Sequence, residues 1–137
     1  MVRVNWIRVF LCGLLAGAVW TLLSLILVAV VGDEFMSAIP RVRSATTTRG
    51  VPFTLIANFS AGIWAMWLYA AIRPRYGPGP KTAIVAGCAW WFIQSLQSTK
   101  WVAVVGVPWT VALGPLAAAT LPAMIVAVLV GAWPYEE

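Results

Sequence analysis

The sequence predicts an all-α protein, an integral membrane antiparallel up-down four-helix bundle. Hydrophobic residues make up 62% of the 137 residues and the mean hydropathy is +0.91, whereas about 45–50% of the residues of a soluble domain are apolar. The nine basic and four acidic residues lie outside four long apolar stretches, and the chain has no histidine. A transmembrane helix needs about 20 apolar residues, so four such helices account for nearly the whole chain. We therefore expect one transmembrane domain over residues 1–137.

Helix 1 is expected over residues 7–31. Arg3 and Arg8 precede an apolar run that is longer than the 7–15 residues typical of a secretory signal core, so we expect the helix to be retained. A long loop over residues 33–51 follows, and its first part, residues 34–39, is a candidate for a short helix along the membrane interface.

Helices 2 and 3 are expected over residues 52–72 and 81–101. Pro52 suits the first turn of a helix, and Arg73-Pro74 disfavours its continuation. The segment between the two helices is rich in proline and glycine, which predicts a tight, stiff loop.

Helix 4 is expected over residues 109–133, after a Gly-Val-Pro break that ends at Pro108. Pro115 and Pro122 fall within this helix and predict a kink. Helices 1 and 2 do not resemble helices 3 and 4 beyond their hydropathy, so the sequence does not support an inverted repeat of the kind found in many transporters.

The distribution of basic residues favours an orientation with both termini in the cytoplasm. Under the positive-inside rule, this places five basic residues inside and four outside. The inside residues are Arg3, Arg8, Arg73, Arg75 and Lys81, and the outside residues are Arg41, Arg43, Arg49 and Lys100. We predict a multi-pass protein of a bacterial cell inner membrane, with dual topology as an open alternative. Because the basic residues are scattered along membrane borders, we expect the lipid bilayer as partner and no nucleic acid.

The residue types needed for catalysis are missing from the apolar stretches. The four carboxylates lie at or beyond the predicted span ends: Asp33, Glu34, Glu136 and Glu137. Cys12 and Cys88 form no CxxC motif, and the chain has no phosphate-binding loop or dinucleotide fingerprint. Acid–base and metal chemistry require such groups together in a sheltered site. We therefore expect no catalytic residues, no metal ion and no cofactor.

Uncharged polar residues give the sharpest functional hint, because nearly all lie at mid-depth or in the predicted outer half of the membrane. With two flanking tryptophans they are Thr21, Ser24, Asn58, Gln94, Gln97, Ser98, Trp90 and Trp101. Polar groups in hydrocarbon need partners, so we expect these side chains to converge. One interpretation is interhelical bonding that fixes the packing, worth about 0.6 kcal/mol per contact. The other is an outward-opening pocket for a small neutral or lipophilic ligand.

Small residues recur at helix-packing intervals. Gly13 and Gly17 form a GxxxG step in helix 1, and small residues recur every four positions in helix 4. The helix 4 residues are Ala119, Ala123, Ala127 and Gly131. Such spacings allow helix backbones to approach closely. Two interpretations stay open, packing inside the bundle or a homodimer face, and helix 4 is the better candidate for the dimer.

Two segments resemble sequences of a known group. They are WLYAAIRPRYGPGPKTA over residues 67–83 and Gly-Ala-Trp-Pro-Tyr over residues 131–135. They are similar to segments of uncharacterised small bacterial four-span membrane proteins, and the similarity extends over most of the chain. The resemblance implies no activity, but it draws attention to Arg73, Arg75 and Lys81. These residues suit either a rigid hairpin with positive-inside charges or a docking loop that binds lipid headgroups.

The function that we expect is therefore non-enzymatic. The first hypothesis is a scaffold or accessory subunit that acts through helix packing. The alternative is a binder or transporter of a small lipophilic or neutral ligand in the outer-half pocket.

Overall fold

The computed structural model describes residues 4–38, 50–105 and 115–135. In these ranges the chain forms four α-helices and no strand, which confirms the all-α prediction. The helices are α1 (Trp6–Ala38), α2 (Gly50–Tyr76), α3 (Pro80–Val105) and α4 (Pro115–Ala132). Most of the predicted long loop and the first six residues of predicted helix 4 lie outside the described residues.

Two of the described helices are long and apolar enough to cross a bilayer. They are Trp6–Val30, with a mean hydropathy of 2.4, and Gly50–Tyr76, with a mean hydropathy of 1.5. A shorter apolar helical segment covers Ala118–Ala132.

The helices pack as an antiparallel up-down arrangement. α1 packs against α2 and α4, and α3 packs against α4 and α2, so that α1 and α3 occupy opposite corners. Gly13 faces Ile63 while Gly17 faces Phe59, and this reversed order shows that α1 and α2 are antiparallel. The start of α1, the α2–α3 turn and the end of α4 therefore meet at one end of the bundle.

Helix α1 is longer than predicted. It has 33 residues, or about 50 Å at 1.5 Å per residue, and it continues through Asp33 and Glu34 to Ala38. The prediction that it ends at residue 31 was wrong because charges end an apolar span without stopping a helix. The candidate interfacial segment is therefore the last part of α1 up to Ala38.

The turn between α2 and α3 is shorter than predicted. α2 continues past Arg73 to Tyr76, with Pro74 inside its last turn. A proline this close to the end removes one backbone hydrogen bond from a helix that is about to stop. The actual end is Gly77, which has a φ of 83° and donates its N–H to the carbonyl of Arg73 at 2.8 Å. Positive φ favours glycine.

Helix α3 begins at Pro80, and its first turn is tied back to the α2–α3 turn. Gly79 has a φ of 122°, and the hydroxyl of Thr82 donates to the carbonyl of Gly77 at 2.6 Å. Thr82 is 1% exposed, so this bond lies inside the protein. The helix then extends beyond the predicted end at residue 101 to Val105.

The closest helix contact is a glycine crossing between α1 and α2, formed by Gly13, Gly17 and Gly62. A Cβ built on Gly13 would lie 2.5 Å from the Cα of Ile63, and one built on Gly62 would clash with the carbonyl oxygen of Gly13 and the backbone nitrogen of Gly17. The GxxxG step therefore serves packing inside the bundle, as one of the two interpretations predicted.

The small residues of α4 also pack within the chain. Ala123 and Ala127 are buried, and a Cβ on Gly131 would lie 2.8 Å from the Cβ of Ala16 and 3.1 Å from the sulfur of Met66. Ala119 is half-buried. A homodimer through this face would have to exchange these contacts between two copies, and it stays a prediction.

Candidate functional site

A ladder of polar side chains connects α1 to α2. The hydroxyl of Thr21 donates to the carbonyl of Gly17 at 2.8 Å and accepts a hydrogen bond from Nδ2 of Asn58 at 3.3 Å. The hydroxyl of Ser24 donates to the carbonyl of Thr21 at 2.8 Å. The structure therefore brings Thr21 and Asn58 together beside the glycine crossing, and Ser24 lies one turn further along α1.

The candidate residues of α3 lie elsewhere. Gln94 and Gln97 are exposed, and α3 does not pack closely against α1. Trp90 is half-buried against the apolar core, and its Nε1 is a buried donor without a hydrogen-bond partner among the described residues. The side chains of Ser98 and Trp101 are outside the described part. The structure does not bring Gln94 into the polar ladder.

We expect the bond between Thr21 and Asn58 to contribute modestly to stability. In a double-mutant cycle with Thr21→Val and Asn58→Leu, the coupling free energy should be about 0.6 kcal/mol and not above about 1.7 kcal/mol. Denaturant titration in mild detergent measures it. Thr54→Val is the matched control, because that hydroxyl donates to the carbonyl of Gly50 in its own helix. A Thr21–Asn58 coupling no larger than the Thr54–Asn58 coupling would argue against the ladder.

A cavity of about 330 Å³ lies at the opposite end of α2, where the α2–α3 turn meets the end of α4. We call it the turn cavity. Six residues that define its walls are Tyr69, Arg73, Gly79, Ala83, Leu129 and Tyr135. Because both the turn and α4 contribute to it, the cavity depends on the folded bundle.

Arg73 in the wall of the turn cavity lies over the ring of Tyr135, which in turn packs against Tyr69. Its Cζ is 5.3 Å from the centre of the Tyr135 ring, and the Tyr135 ring meets Tyr69 edge-on with centres 5.8 Å apart. The N–H of Gly79 donates to the hydroxyl of Tyr69 at 3.4 Å. A cation over an aromatic face gains about 0.5–2 kcal/mol, depending on its desolvation. The aromatic pair therefore stabilises Arg73 in a half-buried position.

The three basic residues of the predicted docking loop have different surroundings. Arg73 is half-buried in the cavity wall, whereas Arg75 and Lys81 are exposed. The sequence alone did not mark Tyr69 or Tyr135 as site residues. Tyr69 precedes Arg73 by four residues, which places the two on one helix face, and this spacing is the signal that points to their shared place in the cavity wall.

An apolar groove of about 460 Å³ lies between α1 and α2. Its walls are Trp6, Val9, Phe10, Ile63, Trp64 and Trp67. Trp64 and Trp67 meet edge-to-face with ring centres 5.3 Å apart. A groove of this composition offers apolar contact and no acid or base.

Within the described residues, no three histidine, cysteine or carboxylate side chains are placed to hold a metal ion. Cys12 is buried, Cys88 is half-buried, and both are free thiols.

Comparison of the chain with protein-family models, curated proteins and solved structures found no match. The resemblance to small four-span bacterial proteins stays a prediction.

Proposed function

We propose that this chain is a multi-pass integral membrane protein of a bacterial inner membrane that acts without catalysis, as a scaffold or accessory subunit, through helix packing. The observation that carries the proposal is the exposed apolar surface of the bundle. Large apolar side chains are exposed on all four helices, among them Ile26, Phe53, Phe92 and Val126, which are 58%, 78%, 58% and 44% exposed.

The low burial of α1 favours a lipid-facing helix over the core helix of a soluble protein. Only 22% of its most apolar window is buried inside the chain, whereas a soluble core helix is mostly buried. Exposure of a helix that is apolar on all sides supports an apolar surrounding such as lipid.

The charge distribution supports one orientation. Arg8, Arg73, Arg75 and Lys81 lie at the end of the bundle that contains the α2–α3 turn, and we call it the basic end. Under the positive-inside rule, these cations favour a cytoplasmic location for the basic end, and with it for the start of α1 and the end of α4.

The contacts between α1 and α2 support a role in packing. Thr21 and Asn58 bond directly to each other beside the glycine crossing, which favours the packing interpretation of the polar residues over a ligand pocket. A tightly closed pair of helices with a lipid-facing exterior suits a protein that presents a rigid surface to a membrane partner.

Single-cysteine labelling tests the membrane topology. In a Cys12→Ala, Cys88→Ala background, Pro78→Cys marks the basic end and Val51→Cys marks the opposite end. We expect a membrane-impermeant maleimide to label Val51→Cys in intact cells and Pro78→Cys only after lysis, and the chain to resist alkaline carbonate extraction. Extraction by carbonate would contradict a membrane-spanning bundle. Equal labelling of both cysteines in intact cells would show dual topology.

Native gels of mild-detergent extracts test the scaffold role. We expect the chain to migrate in a larger complex when extracted from its source membrane than when it is expressed alone. Identical migration as a monomer in both extracts would contradict a scaffold or accessory subunit.

A further inference from the structure

We propose that the turn cavity binds a phosphate group, carried either by a lipid headgroup or by a soluble phosphate compound. The inference rests on the proposed function, since a membrane-spanning bundle places this cavity at the cytoplasmic headgroup level. The turn cavity thereby gains a ligand class. Helix packing alone does not require a basic residue in the wall of this cavity.

The position of Arg73 favours an anionic ligand. Exposed arginines and lysines satisfy the positive-inside rule, and Arg75 and Lys81 are of that kind. Arg73 differs because it lines a cavity and lies 5.3 Å from the centre of the Tyr135 ring. Guanidinium groups can stack on an aromatic ring and also bind phosphate oxygens through a planar fork of donors. The cavity therefore contains the side chain best suited to a phosphate.

The size and lining of the cavity suit a small phosphate ester. Its volume of about 330 Å³ lies at the lower end of the range of about 300–1,000 Å³ for small-molecule sites, which suits a small headgroup. Leu129 in the wall is apolar and half-buried and can contact the carbon atoms of a phosphate ester.

The charge around the cavity also favours an anion. The charged side chains described at the basic end are all cations, namely Arg8, Arg73, Arg75 and Lys81. Several cations together favour an anionic ligand. Glu136 and Glu137 follow Tyr135 in the sequence and are a competing source of negative charge, so the test must separate them from an added ligand.

The test uses the full chain purified in a neutral detergent, with dioctanoyl phosphatidylglycerol as the probe and native mass spectrometry as the readout. Dioctanoylglycerol, which lacks phosphate, is the control ligand. We expect Arg73→Gln to weaken probe binding at least tenfold, and the matched control Arg75→Gln to stay within twofold of the wild type. Circular dichroism checks folding. If Arg73→Gln does not fold, Arg73→Lys retains the charge, removes the fork and should still weaken binding about threefold.

Competition with glycerol phosphate distinguishes the two sources of the phosphate. Displacement of the probe at similar concentrations supports a soluble phosphate compound, and failure to displace it supports a lipid headgroup. Three results would overturn the proposal: no loss in Arg73→Gln, equal losses in Arg73→Gln and Arg75→Gln, or a tenfold gain in a Glu136→Gln, Glu137→Gln variant. The last result would indicate that the acidic side chains, and not a phosphate group, occupy the cavity. Since binding in detergent does not depend on orientation, failure here is distinct from failure of the labelling experiment.

Discussion

Replacing Gly62 by leucine is expected to separate α1 from α2 and to lower the free energy of unfolding by about 3 kcal/mol or more. A Cβ at this position would clash with the backbone of Gly13 and Gly17. Backbone atoms of a helix cannot rotate away as a flexible side chain does, so the two helices must move apart. The polar ladder beside the crossing would then lose its alignment as well. Denaturant titration in detergent, followed by helical circular dichroism, measures the effect.

Ala57→Leu is the matched control for the leucine side chain, because Ala57 is exposed on the same helix. We expect it to change stability by less than about 0.5 kcal/mol. Intrinsic helix propensity works against the expected result, since leucine is better than glycine by nearly 1 kcal/mol in a helix. A Gly62→Leu variant as stable as the wild type would show that the backbones do not meet at this crossing.

Met66→Ala is expected to destabilise the protein by about 2–5 kcal/mol. Met66 is 0% exposed and its sulfur lies beside Gly131 of α4, so its removal leaves a cavity between α2 and α4. Its removal deletes the van der Waals contacts that this buried side chain makes with its neighbours. Thermal unfolding in detergent checks the prediction.

The control for Met66→Ala is Ile56→Ala on the same helix. Ile56 is 65% exposed, so truncating it creates no internal cavity, and we expect a loss below about 1 kcal/mol. Comparable losses in the two variants would indicate that Met66 is not at a packed centre.

Over the described residues, the sequence predicts the number of helices and their class well, because the apolar stretches are long and their borders are charged. The ends of the helices are less predictable. Asp33 and Glu34 mark where an apolar span stops, but α1 continues to Ala38, because Gly32 weakens a helix by only about 1 kcal/mol and no proline occurs before Pro40. At the end of α2, the helix is stopped by the positive φ of Gly77 and not by Pro74.

The sequence predicts how far along each helix the candidate site residues lie. It does not predict the direction in which each side chain points around its helix. The sequence places Thr21, Asn58 and Gln94 at related depths, and the structure joins the first two while leaving Gln94 exposed. In a soluble helix, hydropathy shows which face is inside, but a lipid-facing surface is as apolar as the packed one. Hydropathy therefore does not show which face of each helix packs against the other helices. The contact of Arg73 with Tyr135 also joins residues far apart in the chain, which local spacing cannot predict.

The contact of α4 with α1 has a consequence for biogenesis. Gly131 lies against Cys12 and Ala16, so the first and the last of the described helices pack against each other. In the proposed membrane-spanning protein, acyl chains would cover that surface of α1 until α4 is inserted. The final step of assembly would then exchange lipid for a helix.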